Sequence, residues 1–149
     1  IKPVAVSKAA RSSQNVQGWV VSGPGGIQSL ENGTLQVDAR GIYTAKLPKA
    51  KGALQVRLRA KIFKRAKGSL FWDAGNEKRF GPDRKVLFDL VADGAWHDYE
   101  VDFTATAPLG RLRIDLGSGQ KRRAEIEWIK LCSADGSILA QWTFTDGMK

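Results

Sequence analysis

The sequence predicts an all-β protein of antiparallel strands, either a sandwich or a barrel. Three observations carry that prediction. Apolar residues recur at every second position, turn-forming pairs separate the alternating runs, and no apolar stripe at helical spacing is found. With 149 residues and 42% hydrophobic content, the chain is the size of one domain with a real core.

Alternation is clearest where Leu54, Val56, Leu58, Ala60 and Ile62 interleave with Gln55, Arg57, Arg59 and Lys61. Such a run buries one face of a strand and wets the other. His97, Tyr99, Val101 and Phe103 interleave in the same way with Trp96, Asp98, Glu100 and Asp102. Leu112, Ile114 and Leu116 interleave with Arg111, Arg113 and Asp115, and Ile138, Ala140, Trp142 and Phe144 repeat the pattern near the end. Shorter strands are expected at 18–21, 34–39, 41–46, 68–72, 85–90 and 124–132. In the last, the period breaks at Trp128-Ile129, which predicts a β-bulge. Turn chemistry falls between the runs: Asn32-Gly33, Gly81-Pro82-Asp83, Asp93-Gly94, Gly117-Ser118-Gly119 and Asp135-Gly136. Residues 1–17 read as a leading strand or linker and 18–149 as a single module, with no internal repeat.

The formal charge is +9 and the sequence pI about 9.9, which favours polyanionic partners such as acidic glycan, nucleic acid or anionic lipid. Part of that excess is expected to pair internally. Arg57, Arg59 and Lys61 share one strand face, and Asp98, Glu100 and Asp102 share another; as neighbours they would form cross-strand ion pairs. Ten cations lie instead in or beside turns: Lys64, Arg65, Lys67, Lys78, Arg79, Arg84, Lys85, Lys121, Arg122 and Arg123. Loops at one end of a sandwich converge, and binding residues concentrate on loops held by a rigid scaffold.

Aromatic residues sharpen this expectation. Trp72 and Phe80 bracket a polar loop that carries Asn76, Lys78 and Arg79, with Lys64 and Arg65 as basic neighbours. An aromatic ring stacks on the apolar C–H face of a sugar, while Asn, Lys and Arg bond hydroxyls or pair with sulfate and carboxylate. These seven residues form the candidate carbohydrate site. The alternative is that the same rings close the end of the core. Trp19, Trp96, Trp128 and Trp142 are expected in the core or on a sheet face.

Catalysis finds little support. The single histidine, His97, falls in inward phase beside Trp96, as a hydrogen-bonded structural residue would. There is no Gly-x-Ser-x-Gly, no P-loop and no Cys/His constellation, and one histidine with one cysteine cannot assemble a zinc site. Cys132 has no partner for an internal disulfide and sits beside an apolar run, as an inert buried thiol. A structural calcium, held by carboxylates and carbonyls from separate loops, would leave no compact motif and stays open. No apolar stretch approaches the roughly 18 residues needed to cross a bilayer. The chain starts at Ile1 without an initiator Met or a signal-peptide pattern, which suggests a mature or excised module.

The segments Gly68-Ser-Leu-Phe-Trp72 through Phe80, Val86-Leu-Phe-Asp-Leu90, Asp93-Gly-Ala-Trp-His-Asp-Tyr-Glu-Val101, Leu112-Arg-Ile-Asp115 and Ile126-Glu-Trp-Ile-Lys-Leu131 carry a likeness. Over roughly residues 18–144 the chain resembles the carbohydrate-binding-module-like, galactose-binding-type domains appended to bacterial sulfatases, polysaccharide lyases and glycoside hydrolases. The resemblance implies a jelly-roll-like sandwich of two antiparallel sheets and a secreted, extracellular or periplasmic parent enzyme covalently linked to the module. It also implies that sugar meets loops at one end or the concave sheet face.

The leading expectation is therefore a non-catalytic module that binds an anionic polysaccharide, sulfated or uronic-acid-containing, and targets a linked enzyme. The alternatives are a structural accessory domain without its own ligand, and a basic β-domain that stacks single-stranded nucleic acid.

Overall fold

The computed structural model describes residues 15–29, 32–64, 67–74, 80–116 and 124–144. Within them lie nine strands: β1 (Val20–Ser29), β2 (Leu35–Thr44), β3 (Gly52–Ile62), β4 (Lys67–Ala74), β5 (Lys85–Asp89), β6 (Trp96–Ala105), β7 (Leu109–Asp115), β8 (Ala124–Ser133) and β9 (Ile138–Thr143). The remaining element is a single 3-10 turn, Pro82–Arg84, and every strand ladder is antiparallel.

The hydrogen-bonded order is β5-β4-β7-β2-β8-β3-β6, with β1 on β2 and β9 on β8. β2 joins the two halves, because its start (Leu35–Val37) pairs β8 and its end (Gly41–Thr44) pairs β7. One sheet is thus β5-β4-β7-β2-β1, and the other is β6-β3-β8-β9. Their apolar faces meet in one cluster, and the ends of the path close on each other. Trp72 of β4 packs against Phe103 of β6 with ring centroids 4.7 Å apart, and Phe88 of β5 lies 6.3 Å from Tyr99 of β6. The Val91 N–H donates to the Tyr99 hydroxyl at 3.1 Å. The result is the expected jelly-roll-like sandwich.

Two of the period-two strands sit in the expected phase: Leu54, Val56, Leu58, Ala60 and Ile62 are all buried, as are Tyr99, Val101, Phe103 and Ala105 opposite them, whereas in the last run Trp142 and Phe144 are buried but Ile138 is exposed. The break in β8 is a bulge. Arg59 faces Trp128 and Ala60 faces Ile126, so Glu127 is the extra residue. β1 runs further than the expected 18–21. Its glycines and proline look like a turn, yet it stays paired to β2 through an irregularity between Ser22 and Gly25. Gly25 adopts φ 126°, and a Cβ there would sit 2.0 Å from the Asp38 carbonyl oxygen.

On the outer face of β6-β3-β8 two arginines pair with carboxylates, as the alternation predicts. Arg59 Nη1 meets Asp98 at 2.7 Å and its Nε meets Glu127 at 2.9 Å, while Arg57 lies 3.7 Å from Glu100. These pairs are partly exposed, so solvent screens them and they add little to stability. His97 caps the end of the core, its Nε2 3.0 Å from the Asp93 carboxylate and its ring edge-on to Tyr99.

Candidate functional site

Alternation along β4, β7 and β2 turns Leu70, Trp72, Leu112, Ile114, Ile42 and Thr44 into the core. Their neighbours therefore face outward. Register aligns these neighbours in one row, Lys85–Phe71–Arg113–Tyr43–Val20, from β5 across β4, β7 and β2 to β1. The half-buried rings of Phe71 and Tyr43 are separated in this row by Arg113.

Phe80, just before the 3-10 turn, returns over the same face, its ring centroid 6.0 Å from that of Phe71. The Arg113 guanidinium lies 4.6 Å from the Phe71 centroid and 5.7 Å from that of Phe80. Arg111 lies 4.5 Å from Phe80 and 5.7 Å from Tyr43, and Lys85 Nζ lies 5.3 Å from Phe71. Rings and cations thus brace one another, each contact contributing about 0.5–1 kcal/mol at such half-exposed positions.

Both arginines are held by carboxylates. Asp73, fully buried, accepts the Arg111 backbone N–H at 2.6 Å through Oδ1 and the Arg111 Nε–H at 2.7 Å through Oδ2. It reaches that position because the β4–β7 register shifts between Trp72 and Ala74. Gly110 leaves the room, since a Cβ there would lie 2.7 Å from Asp73 Oδ1. Asp115 receives Arg113 in a fork, from Nε at 2.8 Å and Nη2 at 2.7 Å. The Asp115 carboxylate lies across Gly41, where a Cβ would come within 2.0 Å of Oδ1. Such a surface offers apolar ring faces flanked by fixed N–H donors, a match for a sugar ring with C–H faces and hydroxyl edges.

The residues expected at the site separate. Phe80 is on this platform. Trp72 is a core residue, 6% exposed against Phe103, so no face of its indole is open to a ligand. This corrects the expectation, and the reason is strand parity: Trp72 shares the inward phase of Leu70. Lys64 is exposed just past the end of β3, a strand of the opposite sheet. Arg65, Asn76, Lys78 and Arg79 lie outside the described residues. Tyr43, Phe71, Arg111 and Arg113 were not among the expected site residues. The parity that buries Leu70 and Trp72 exposes Phe71, and that signal was present in the sequence.

Elsewhere Trp19 and Trp142 are buried and meet edge to face at 5.2 Å. Trp96 and Trp128 are half-buried on the opposite sheet, beneath Lys61 Nζ at 4.9 Å and Lys130 Nζ at 4.4 Å. Cys132 is fully buried. The Asn32 side chain accepts from Thr34 Oγ1 at 2.7 Å, within its turn. Two turn carboxylates are acidified. Asp93 is held below its ordinary value by the Ala95 N–H and by His97, and Asp135 is pulled down to about 2 by the Ser133 hydroxyl and the Ser137 N–H. Among the described residues no three His, Cys, Asp or Glu side chains group as a metal site, and no helix is long and apolar enough to cross a membrane.

No family model and no curated protein matches the sequence. Solved structures do match by shape. A family 29 carbohydrate-binding module, studied as a mutant for its mechanism of ligand recognition, superposes with a TM-score of 0.57 at 12% identity, over 85% of this chain and 91% of that one. The CBM22-1 xylan-binding domain of Paenibacillus barcinonensis Xyn10C gives 0.55 at 11% identity, covering 86% and 90%. The Clostridium thermocellum endo-1,4-beta-D-xylanase 10B, CBM22-1 and GH10 modules with xylohexaose, gives 0.59 at 17% identity, covering 80% of this chain and 26% of that one. The chain thus has the size of the two isolated modules and spans about a quarter of the modular xylanase.

Proposed function

We propose that this protein is a non-catalytic polysaccharide-binding module whose ligand lies on the outer face of β5-β4-β7-β2. One observation carries the reading: the row of Phe71, Arg113 and Tyr43, with Phe80 and Arg111 beside it, forms a ring-and-guanidinium surface across three strands. Strands lie about 4.8 Å apart, so the row presents successive contacts at about the spacing of pyranose units in a chain. A polysaccharide crossing the strands would stack on the rings and accept hydrogen bonds from the arginines. Likeness in shape to modules described as carbohydrate-binding supports this reading. A secreted parent enzyme that the module delivers to its substrate belongs to the same proposal.

The platform's described groups support polysaccharide in general more than anionic polysaccharide in particular. The cations that would add a specific anionic preference, Lys78 and Arg79, lie outside the described residues. Native gels containing xylan, glucomannan, polygalacturonate or heparin test the reading: retardation in at least one, abolished by Phe71→Ala in the folded protein, is expected. No retardation in any of them, or retardation equal in the variant, would remove the platform from the account.

A further inference from the structure

Two pairs of opposite charges flank the rings of Phe71, Phe80 and Tyr43, and a third lies in the adjoining 3-10 turn. Arg111 is matched by Asp73, Arg113 by Asp115, and Arg84 lies 3.8 Å from Asp83. The first two are close, directional pairs. Asp73 has a side chain with no exposure and Asp115 is 12% exposed, while their arginines are 28% and 17% exposed. A guanidinium satisfied in a fork by an internal carboxylate keeps outward N–H donors but has spent its net charge. Among the described residues of the row, Lys85 is exposed at its edge, over the Phe71 ring, with no carboxylate paired to it.

We infer that Asp73 and Asp115 are specificity-determining residues: by cancelling Arg111 and Arg113 they fit the platform to a neutral polysaccharide and set it against sulfated or uronic-acid chains. This inference rests on the platform being the ligand site. A sulfate or carboxylate placed over Arg113 would accept the same outward N–H groups but would meet the Asp115 charge nearby. A hydroxyl accepts the outward N–H groups without that conflict. The close approach of Gly41 to Asp115 and of Gly110 to Asp73 shows that the backbone is shaped to admit these carboxylates.

The test uses the full chain and gels containing neutral xylan or glucomannan on one side and heparin on the other, at low salt. Asp115→Asn frees the charge of Arg113 and is expected to tighten heparin binding about three- to fivefold, the scale of one partly exposed charge pair. Arg113→Gln leaves Asp115 unmatched and is expected to weaken heparin binding by a similar factor. Opposite shifts in the two variants, each with a cooperative unfolding transition, support the inference. Unchanged or like-signed shifts overturn it, and so does heparin binding tighter than every neutral glycan and dependent on Phe71. Phe71→Ala separates the two levels. If it leaves glycan retention intact, the platform reading fails; if it abolishes neutral binding while Asp115→Asn gains no heparin affinity, only the charge inference fails.

Discussion

The Arg113 guanidinium lies 4.6 Å from the centre of the Phe71 ring while its Nε and Nη2 donate to Asp115. The arginine is thus fixed between a ring on β4 and a carboxylate on its own strand, and its plane is part of the surface. Phe71→Ala removes the ring, the flanking cation contacts and the contact with Phe80. Because Phe71 is half-exposed, the variant is expected to stay folded and to lose about five- to tenfold in glycan affinity, equal to about 1–1.4 kcal/mol. Isothermal titration with the retained polysaccharide checks this.

Trp72→Ala should behave in the opposite way. The indole is 6% exposed and tilted onto Phe103 across the sandwich, so truncation leaves a cavity between the sheets. A loss of about 3–5 kcal/mol is expected. Urea unfolding of Trp72→Ala beside Phe71→Ala checks it; equal stabilities would contradict the assignment of the two faces.

Gly41→Ala places a methyl 2.0 Å from Asp115 Oδ1 and 2.5 Å from the Ile114 carbonyl oxygen. The β2–β7 ladder must shift or the carboxylate must leave Arg113. A destabilisation of about 1–3 kcal/mol is expected, together with weakened glycan binding. Ala at Gly52, where a Cβ would meet nothing within 4 Å, is the control for steric effects, with only the strain of its φ of 92° to oppose it.

Stability should fall in acid through the turn carboxylates. Asp135 ionises at about 2 in the folded chain against an ordinary 3.8, and Asp93 is also lowered. A depressed folded value gives stability that is fully present above the unfolded value and lost as pH falls through the folded one. The melting temperature should therefore decline from about pH 4 toward pH 2, with part of that slope removed in Asp135→Asn. An unchanged slope in the variant would place the acid sensitivity elsewhere.

Much of the fold was legible in the sequence because a strand buried on one face writes its phase directly. Leu54 to Ile62 and Tyr99 to Phe103 fell in the phase observed, and even the Trp128 irregularity marked a bulge, centred one residue earlier at Glu127. β1 was read short because Gly23-Pro24-Gly25 has turn chemistry and only its pairing with β2 makes it strand. The site was less legible. Which outward residues become neighbours depends on register between strands far apart in sequence: Tyr43, Phe71 and Arg113 meet only because β2 and β4 both pair with β7. Trp72 borders the polar loop in sequence, yet strand parity places it in the core and its neighbour Phe71 on the surface.

The most direct measurement is an amide chemical-shift titration of the labelled protein with xylohexaose and a gluco-oligosaccharide of similar length. The account predicts shifts confined to the row and its neighbours, at Tyr43, Phe71, Phe80, Lys85, Arg111 and Arg113. Shifts clustered on the opposite sheet around Trp96 and Trp128, with that row silent, would contradict it.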